Sequence, residues 1–218
     1  NINKLLKSKS KPFTAILGGK KISDKIDTIK KLIKTVDHII IGGAMSNTFI
    51  KALGGNIGSS LYENNKIDTA IILLKEAKKY NVKIHLPEDS IISNKIEFSC
   101  KTEVSYSNNI KKGMMNLDIG PKSINAFKGI IEKSKKILWN GPMGVFEINE
   151  FSNGTNKIAE SVSNTTKKGA FSLIGGGDSV AAINNNNFSK NISFISTGGG
   201  ALLYYISNGV LPALKILN

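Results

Sequence analysis

A short apolar run that ends in glycine and gives way to a helical apolar rhythm recurs about six times along this chain. Thr14, Ala15, Ile16 and Leu17 run into Gly18-Gly19, and His38, Ile39, Ile40 and Ile41 run into Gly42-Gly43. Residues 115–119 run into Gly120, residues 136–139 into Asn140-Gly141, residues 170–174 into three glycines, and residues 192–196 into Thr197 and three more. Helical spacing follows the first of these at Ile22, Ile26, Ile29, Ile33 and Val36. It returns over residues 66–80 at Ile67, Ala70, Ile71, Leu74 and Ala77. Helices are also expected over 45–53, 121–133 and 155–162, and after the last glycines. Strands separated by whole helices cannot close as hairpins and pair in parallel through right-handed crossovers. The expected fold is therefore α/β: a three-layer, Rossmann-like domain with a mostly parallel six-stranded sheet and helices on both faces. Residues 115–119 are read as one of the glycine-ended strands, and residues 88–113 as an edge strand with loops.

In such sheets ligands sit at the carboxyl ends of the strands, where the glycine turns fall. The turn Ile174-Gly175-Gly176-Gly177-Asp178-Ser179 reads as a strand end, a glycine bend and the start of a helix. Free N–H groups and the helix dipole at such a start favour an anion, and a carboxylate there can share a metal ion with a phosphate. Asp178 fits two descriptions at this point, an ordinary helix N-cap or a ligand in an anion site.

Composition narrows the classes. The chain has 218 residues, 30 basic against 16 acidic, a net charge of +14 and no arginine. Bidentate phosphate and base recognition favours arginine, and stacking platforms need clustered aromatics, so nucleic acid is not the expected partner. No run of 18 apolar residues offers a membrane span. A single cysteine, Cys100, fits a reducing compartment, and a cytoplasmic location is expected. Two histidines far apart in sequence, His38 and His85, offer no zinc-ligand spacing.

The usual nucleotide fingerprints are missing. Gly19-Lys20 is followed by Lys21, so no Walker P-loop forms, and no G-x-G-x-x-G follows the first strand. What stands there instead is Gly18-Gly19-Lys20-Lys21-Ile22-Ser23-Asp24-Lys25. On a helix starting here Lys21 and Lys25 share a face, and two ammonium groups at a strand's carboxyl edge could neutralise a phosphoryl group in transit.

Six segments together resemble the C-terminal, nucleotide-binding half of phosphoglycerate kinase: KPFTAILGGKKISDK at 11–25, IIGGAM at 40–45, LDIGPK at 117–122, WNGPMGVFE at 139–147, GGGDSVAA at 175–182 and STGGGA at 196–201. The resemblance implies reversible phosphoryl transfer between 1,3-bisphosphoglycerate and ADP, giving 3-phosphoglycerate and ATP with Mg²⁺. Lys21 would then stabilise the transferring group and Lys25 would hold nucleotide phosphates. Gly176, with Gly177 and Ser179, would offer donors to the terminal phosphates, and Gly199, with Gly198 and Gly200, would face the transferred group. Gly19, Gly43, Gly120 and Gly141 would border adenine and ribose, Glu147 would accept from ribose hydroxyls, and Asn140 would lie near the phosphates. Asp178 would bind Mg²⁺. The nucleotide surface so implied also takes in Lys20, Ala44, Pro142, Met143 and Gly175.

Lys20 stands where the family has a small residue, Ala44 where it has a third glycine, and Tyr204 where a glutamate is common. The resemblance further implies that residues 1–11 are the remnant of an interdomain helix or linker, that residues 12–218 form the nucleotide-binding domain, and that a monomer is expected. The family's other half, which holds phosphoglycerate, would precede Asn1. The alternative expectations are an adenine-nucleotide-binding module without turnover and a basic nucleic-acid binder.

Overall fold

The computed structural model describes residues 2–185 and 188–210. In chain order the elements are α1 (Ile2–Lys7), β1 (Phe13–Leu17), α2 (Ile26–Ile33), β2 (His38–Ile41), α3 (Met45–Ala52), β3 (Asn56–Ile57), α4 (Ile67–Lys79) and β4 (Lys83–His85). They continue with β5 (Asp89–Ser93), β6 (Glu103–Tyr106), β7 (Asn109–Ile110), β8 (Met115–Ile119), α5 (Pro121–Ile131) and β9 (Lys136–Asn140). The last are α6 (Asn153–Lys167), β10 (Phe171–Gly175), α7 (Gly177–Asn185), β11 (Phe194–Ser196) and α8 (Gly199–Asn208).

Six strands form the main sheet in the order β11-β10-β9-β1-β2-β4, and every pairing is parallel. Successive residues of these strands point to opposite faces, and both faces are apolar, as a sheet covered on two sides requires. Ala15, Leu17, Ile39, Ile41, Leu138 and Leu173 pack toward α1, α2, α3, α4 and α8. Ile16, Ile40, Ile137, Trp139 and Ile174 pack toward α5, α6 and α7. The expected three layers are what the chain builds.

Residues 115–119 are a strand but not one of these six. β8 pairs antiparallel with β5, and β5 pairs antiparallel with β6, in a separate three-stranded sheet. A glycine-ended apolar strand followed by a helix therefore specifies the local unit without specifying the sheet it joins. Leu117, Ile148 and Phe151 close a small third core beneath this sheet.

Two buried carboxyl groups of this second sheet hold the starts of α5 and α6. Asp89 accepts from the Lys122 and Ser123 N–H groups at 3.0 and 2.8 Å and from the Ser123 hydroxyl at 2.7 Å, capping α5. Asp118 accepts from the Gly154 N–H in the first turn of α6 at 2.7 Å and from the Ile119 N–H at 2.9 Å. At the opposite end of the domain the Lys136 ammonium donates to the carbonyls of Leu5 and Ser8, and it lies 4.6 Å from the centre of the Phe13 ring. Leu5 is fully buried, so α1 is packed into the domain. His38 and His85, distant in sequence, stand on neighbouring strands with Nδ1 and Nε2 3.1 Å apart. No group of three or more metal-ligating side chains forms among the described residues, and none of the described helices is long and apolar enough to cross a membrane.

Burial raises the Asp118 carboxyl to about 7 against the pull of the Gly154 and Ile119 N–H groups. The native chain then holds a proton that the unfolded chain, with an ordinary carboxyl near 3.8, has released. The stability this lends is complete below about pH 4 and is lost as pH climbs through about 7. In urea titrations across that range, the stability difference between the wild-type chain and Asp118→Asn should shrink or reverse as pH rises. A difference that does not vary with pH would mean that Asp118 is ionised throughout.

Candidate functional site

β1 lies between β9 and β2, so the chain leaves it in one direction toward β4 and returns on its other side toward β11. The loops after β1 and β9 diverge at such a switch point and leave a crevice above the strand ends. Here the loops are locked together by backbone. Gly18 N–H donates to the Asn140 carbonyl at 2.9 Å and Gly19 N–H to the Pro142 carbonyl at 3.0 Å. Gly43 N–H donates to the Met143 carbonyl at 2.9 Å, and Met45 N–H to the Gly19 carbonyl at 3.0 Å.

This contact admits no side chains. A Cβ on Gly18 would stand 2.0 Å from the Pro142 carbonyl oxygen, and one on Gly141 would stand 2.3 Å from the Gly18 oxygen. The buried Trp139 indole N–H donates to the Gly141 carbonyl at 2.8 Å and holds the loop from below. Ser179 Oγ accepts from Gly141 N–H at 2.6 Å, and Asn140 Nδ2 donates to the Gly175 carbonyl at 2.7 Å, tying β9 to β10 and α7.

Above these turns lies a cleft of about 770 Å³. One wall is apolar, built from Leu61, Ile96, Met115, Leu117, Val145 and Ile148, and it continues the third core. The other is polar and rich in glycine: Gly19, Lys20, Asp24, Lys25, the start of α7 at Gly176–Ser179, and Gly199-Gly200 at the start of α8. Gly199 packs on Gly176, a Cβ there lying 3.0 Å from the Gly176 Cα, so the two helix starts face one cavity. Burial lowers the Lys25 ammonium, partly offset by the carboxylates of Asp24 and Asp178. An ammonium held in this way is poorly solvated and ready for an anion.

Most of the residues singled out from sequence meet here. Gly19, Lys20, Lys25, Gly43, Ala44, Asn140, Gly141, Pro142, Met143, Glu147, Gly176, Gly177, Asp178, Ser179 and Gly199 all line the cleft. Three do not. Lys21 precedes the 3₁₀ turn Ser23–Lys25 rather than sharing a helix face with Lys25, and it is exposed outside the cleft lining. Its charge acts on Glu63 instead: burial raises that carboxyl, but hydrogen bonds from Ser23 and Ile22 and the Lys21 ammonium bring it below its ordinary value. Gly120 sits against Asp89, where a Cβ would stand 2.4 Å from the carboxyl carbon, so it is glycine for the α5 cap. Gly175 is buried under Leu202, 2.2 Å from a Cβ placed there. Asp178 is not an N-cap either, because α7 begins at Gly177 and puts it in the first helical turn, exposed to the cleft. The apolar wall is marked by the motifs only at Leu117 and Val145. Outside them stand Leu61 and Ile96, in loops, which remain 58% and 53% exposed.

Fold and cleft define an open α/β domain with its ligand crevice at the switch point of a parallel sheet. A family model described as phosphoglycerate kinase matches residues 1–208. The phosphoglycerate kinase of Chlorobium phaeobacteroides is 45% identical over 217 residues, covering 100% of this chain and 55% of that one. That of Thermosipho africanus is 45% identical over 214 residues, covering 98% and 53%. Among solved structures, phosphoglycerate kinase from Coxiella burnetii superposes with a TM-score of 0.94 at 38% identity, covering 100% of this chain and 56% of that one. The Pyrococcus horikoshii enzyme gives 0.83 at 27% identity, covering 99% and 54%. This chain belongs to the phosphoglycerate kinase family, and it spans about half the length of the curated relatives it matches.

The glycines of the site divide by what surrounds them. Gly18→Ala forces a methyl group into the Pro142 carbonyl and should cost about 1–3 kcal/mol in urea unfolding. Gly177→Ala meets nothing within 4 Å, lies in a helix and should leave stability unchanged or raise it by about 0.5 kcal/mol. Equal effects at the two positions would refute this division.

Proposed function

We propose that this chain is the nucleotide-binding half of a phosphoglycerate kinase, taking ADP or ATP with Mg²⁺. In the whole enzyme it would serve the reversible transfer between 1,3-bisphosphoglycerate and ADP that yields 3-phosphoglycerate and ATP. The observation that carries this reading is the two-sided cleft. A flat heterocycle fits the apolar wall, and a phosphate chain fits the glycine wall, where two helix starts and Lys25 converge.

The residues take distinct parts in it. Glu147, exposed at the rim, accepts from ribose hydroxyls. Lys25 and the first turns of α7 and α8 hold the phosphates, so that positioning and charge neutralisation do the catalytic work. Ser179 Oγ, committed as an acceptor to Gly141 N–H, still has its proton to donate. Asp178 is the carboxylate that would hold Mg²⁺. One carboxylate with phosphate oxygens and water is a donor set this ion accepts, and the bound ion would neutralise phosphate charge. Asp24 is the second carboxylate in the cleft.

A nucleotide-binding module without turnover is the second reading, favoured by the position of Lys21 outside the cleft lining. For the first reading, Lys21 must swing in when phosphoglycerate is held opposite. Joining the amino-terminal half of a relative to this chain separates the two. Turnover that falls by a hundredfold or more in Lys21→Ala supports catalysis, and turnover indifferent to Lys21 removes it from the mechanism.

Calorimetric titration with ADP tests the binding itself. A micromolar-range Kd is expected with Mg²⁺. Asp178→Ala should weaken it about 10–100-fold with Mg²⁺ present and have little effect in chelator. No heat from ADP with Mg²⁺ would defeat both nucleotide readings.

A further inference from the structure

The apolar wall of the cleft carries one amide side chain, Asn116, between Met115 and Leu117 on β8. Its orientation is settled by a chain of bonds that begins at a backbone carbonyl. Asn47, fully buried on α3, donates Nδ2 to the Leu61 carbonyl at 2.9 Å. A carbonyl can only accept, so this end of the Asn47 amide must be nitrogen and its other end oxygen. That oxygen receives Asn116 Nδ2 at 2.8 Å, which in turn must be nitrogen. The Asn116 backbone is pinned as well, its N–H donating to Ser60 Oγ at 2.8 Å. Asn116 Oδ1 is thereby the end left over, an acceptor held in place on an otherwise apolar surface.

We propose that Asn116 selects the nucleobase by offering this fixed acceptor to an exocyclic amino group. The inference rests on the nucleotide reading above and adds a specificity determinant to it. A purine with an amine at its 6-position, as in adenine, supplies the donor that Oδ1 lacks. Hypoxanthine and guanine carry a carbonyl there, which sets two acceptors against each other on an otherwise apolar wall. The amide cannot relieve this by flipping. A flip would bring Asn116 oxygen against Asn47 oxygen, and turning Asn47 too would bring its oxygen against the Leu61 carbonyl. The discrimination is thus built into the fold by one unambiguous acceptor two residues removed, and a protein site that must leave a polar group unpaired rejects the wrong ligand.

Titrations of the intact chain with the Mg²⁺ complexes of ADP, IDP and GDP test this. Wild type should bind ADP roughly tenfold or more tightly than IDP or GDP. Asn116→Leu should bring ADP and IDP to within about twofold of each other. Asn47→Leu, which frees the Asn116 amide to turn, should narrow the ratio without touching the ligand. Equal binding of ADP and IDP by wild type, or a ratio unchanged in Asn116→Leu, overturns the inference while leaving the nucleotide reading intact. Failure of all three nucleotides to bind overturns both.

Discussion

The direct contact of backbone with backbone among the loops after β1, β2 and β9 is the constraint on which the rest of this structure depends. Four N–H···O=C bonds join those loops, and at Gly18 and Gly141 the chains run so close that a methyl group would overlap a carbonyl oxygen. Such contact needs the strands beneath to end at one level. The parallel registers Leu17 with Ile41 and Leu17 with Asn140 deliver that. It also turns the loops into a rigid floor, propped by the Trp139 indole and the Ser179 hydroxyl. A floor made of peptide groups has no side chains to reorganise when a flat or charged ligand arrives, and preorganised dipoles of this kind are the main resource of a site that works by charge neutralisation.

The cleft then draws its two characters from two different sheets. Its glycine wall belongs to the parallel sheet, and its apolar wall belongs to the antiparallel one, through β8 and the loop that follows β9. Val145 N–H donates to the Leu117 carbonyl at 2.8 Å, which pins that loop to β8. Asp118 adds a second tie, since Gly144 and Gly154 both approach its carboxyl too closely for a side chain. Displacing the small sheet would therefore remove one side of the cleft without disturbing the six-stranded core.

The architecture was legible wherever a local pattern determined it. Alternating strands and helices imply parallel pairing, and the all-apolar strands imply a sheet covered on both faces. The site was legible wherever a glycine marked it. Two failures have physical causes. Residues 115–119 have the same local grammar as five of the six sheet strands, and only the antiparallel partner β5, lying in a stretch of weak pattern, takes them elsewhere. Lys21 and Lys25 were placed on one helix face because the apolar spacing begins at Ile22. The chain instead turns through Ser23–Lys25 before the helix starts, and Lys21 is left outside. The apolar wall was largely illegible because β8 supplies only Met115 and Leu117, while Leu61, Ile96, Val145 and Ile148 come from separate loops with no common period.

Glycine before a helix is the motif that most invited a binding interpretation, and the structure shows that it covers two opposite situations. At α5 two first-turn N–H groups are taken by the buried carboxyl of Asp89, and at α6 the Gly154 N–H is taken by the buried carboxyl of Asp118. The glycines beside them leave the room those carboxyl groups need. At α7 and α8 the arrangement is reversed. Asp178 points its charge into the cleft, no side chain caps α8, and the space beside Gly177 and Gly200 is open to 4 Å. A helix start whose N–H groups are taken by a carboxyl of its own protein is an element of the fold. The starts of α7 and α8 instead lie open beside the half-buried Lys25. The distinction lies in long-range partners, Asp89 for α5 and Asp118 for α6, so it cannot be read from the turns themselves.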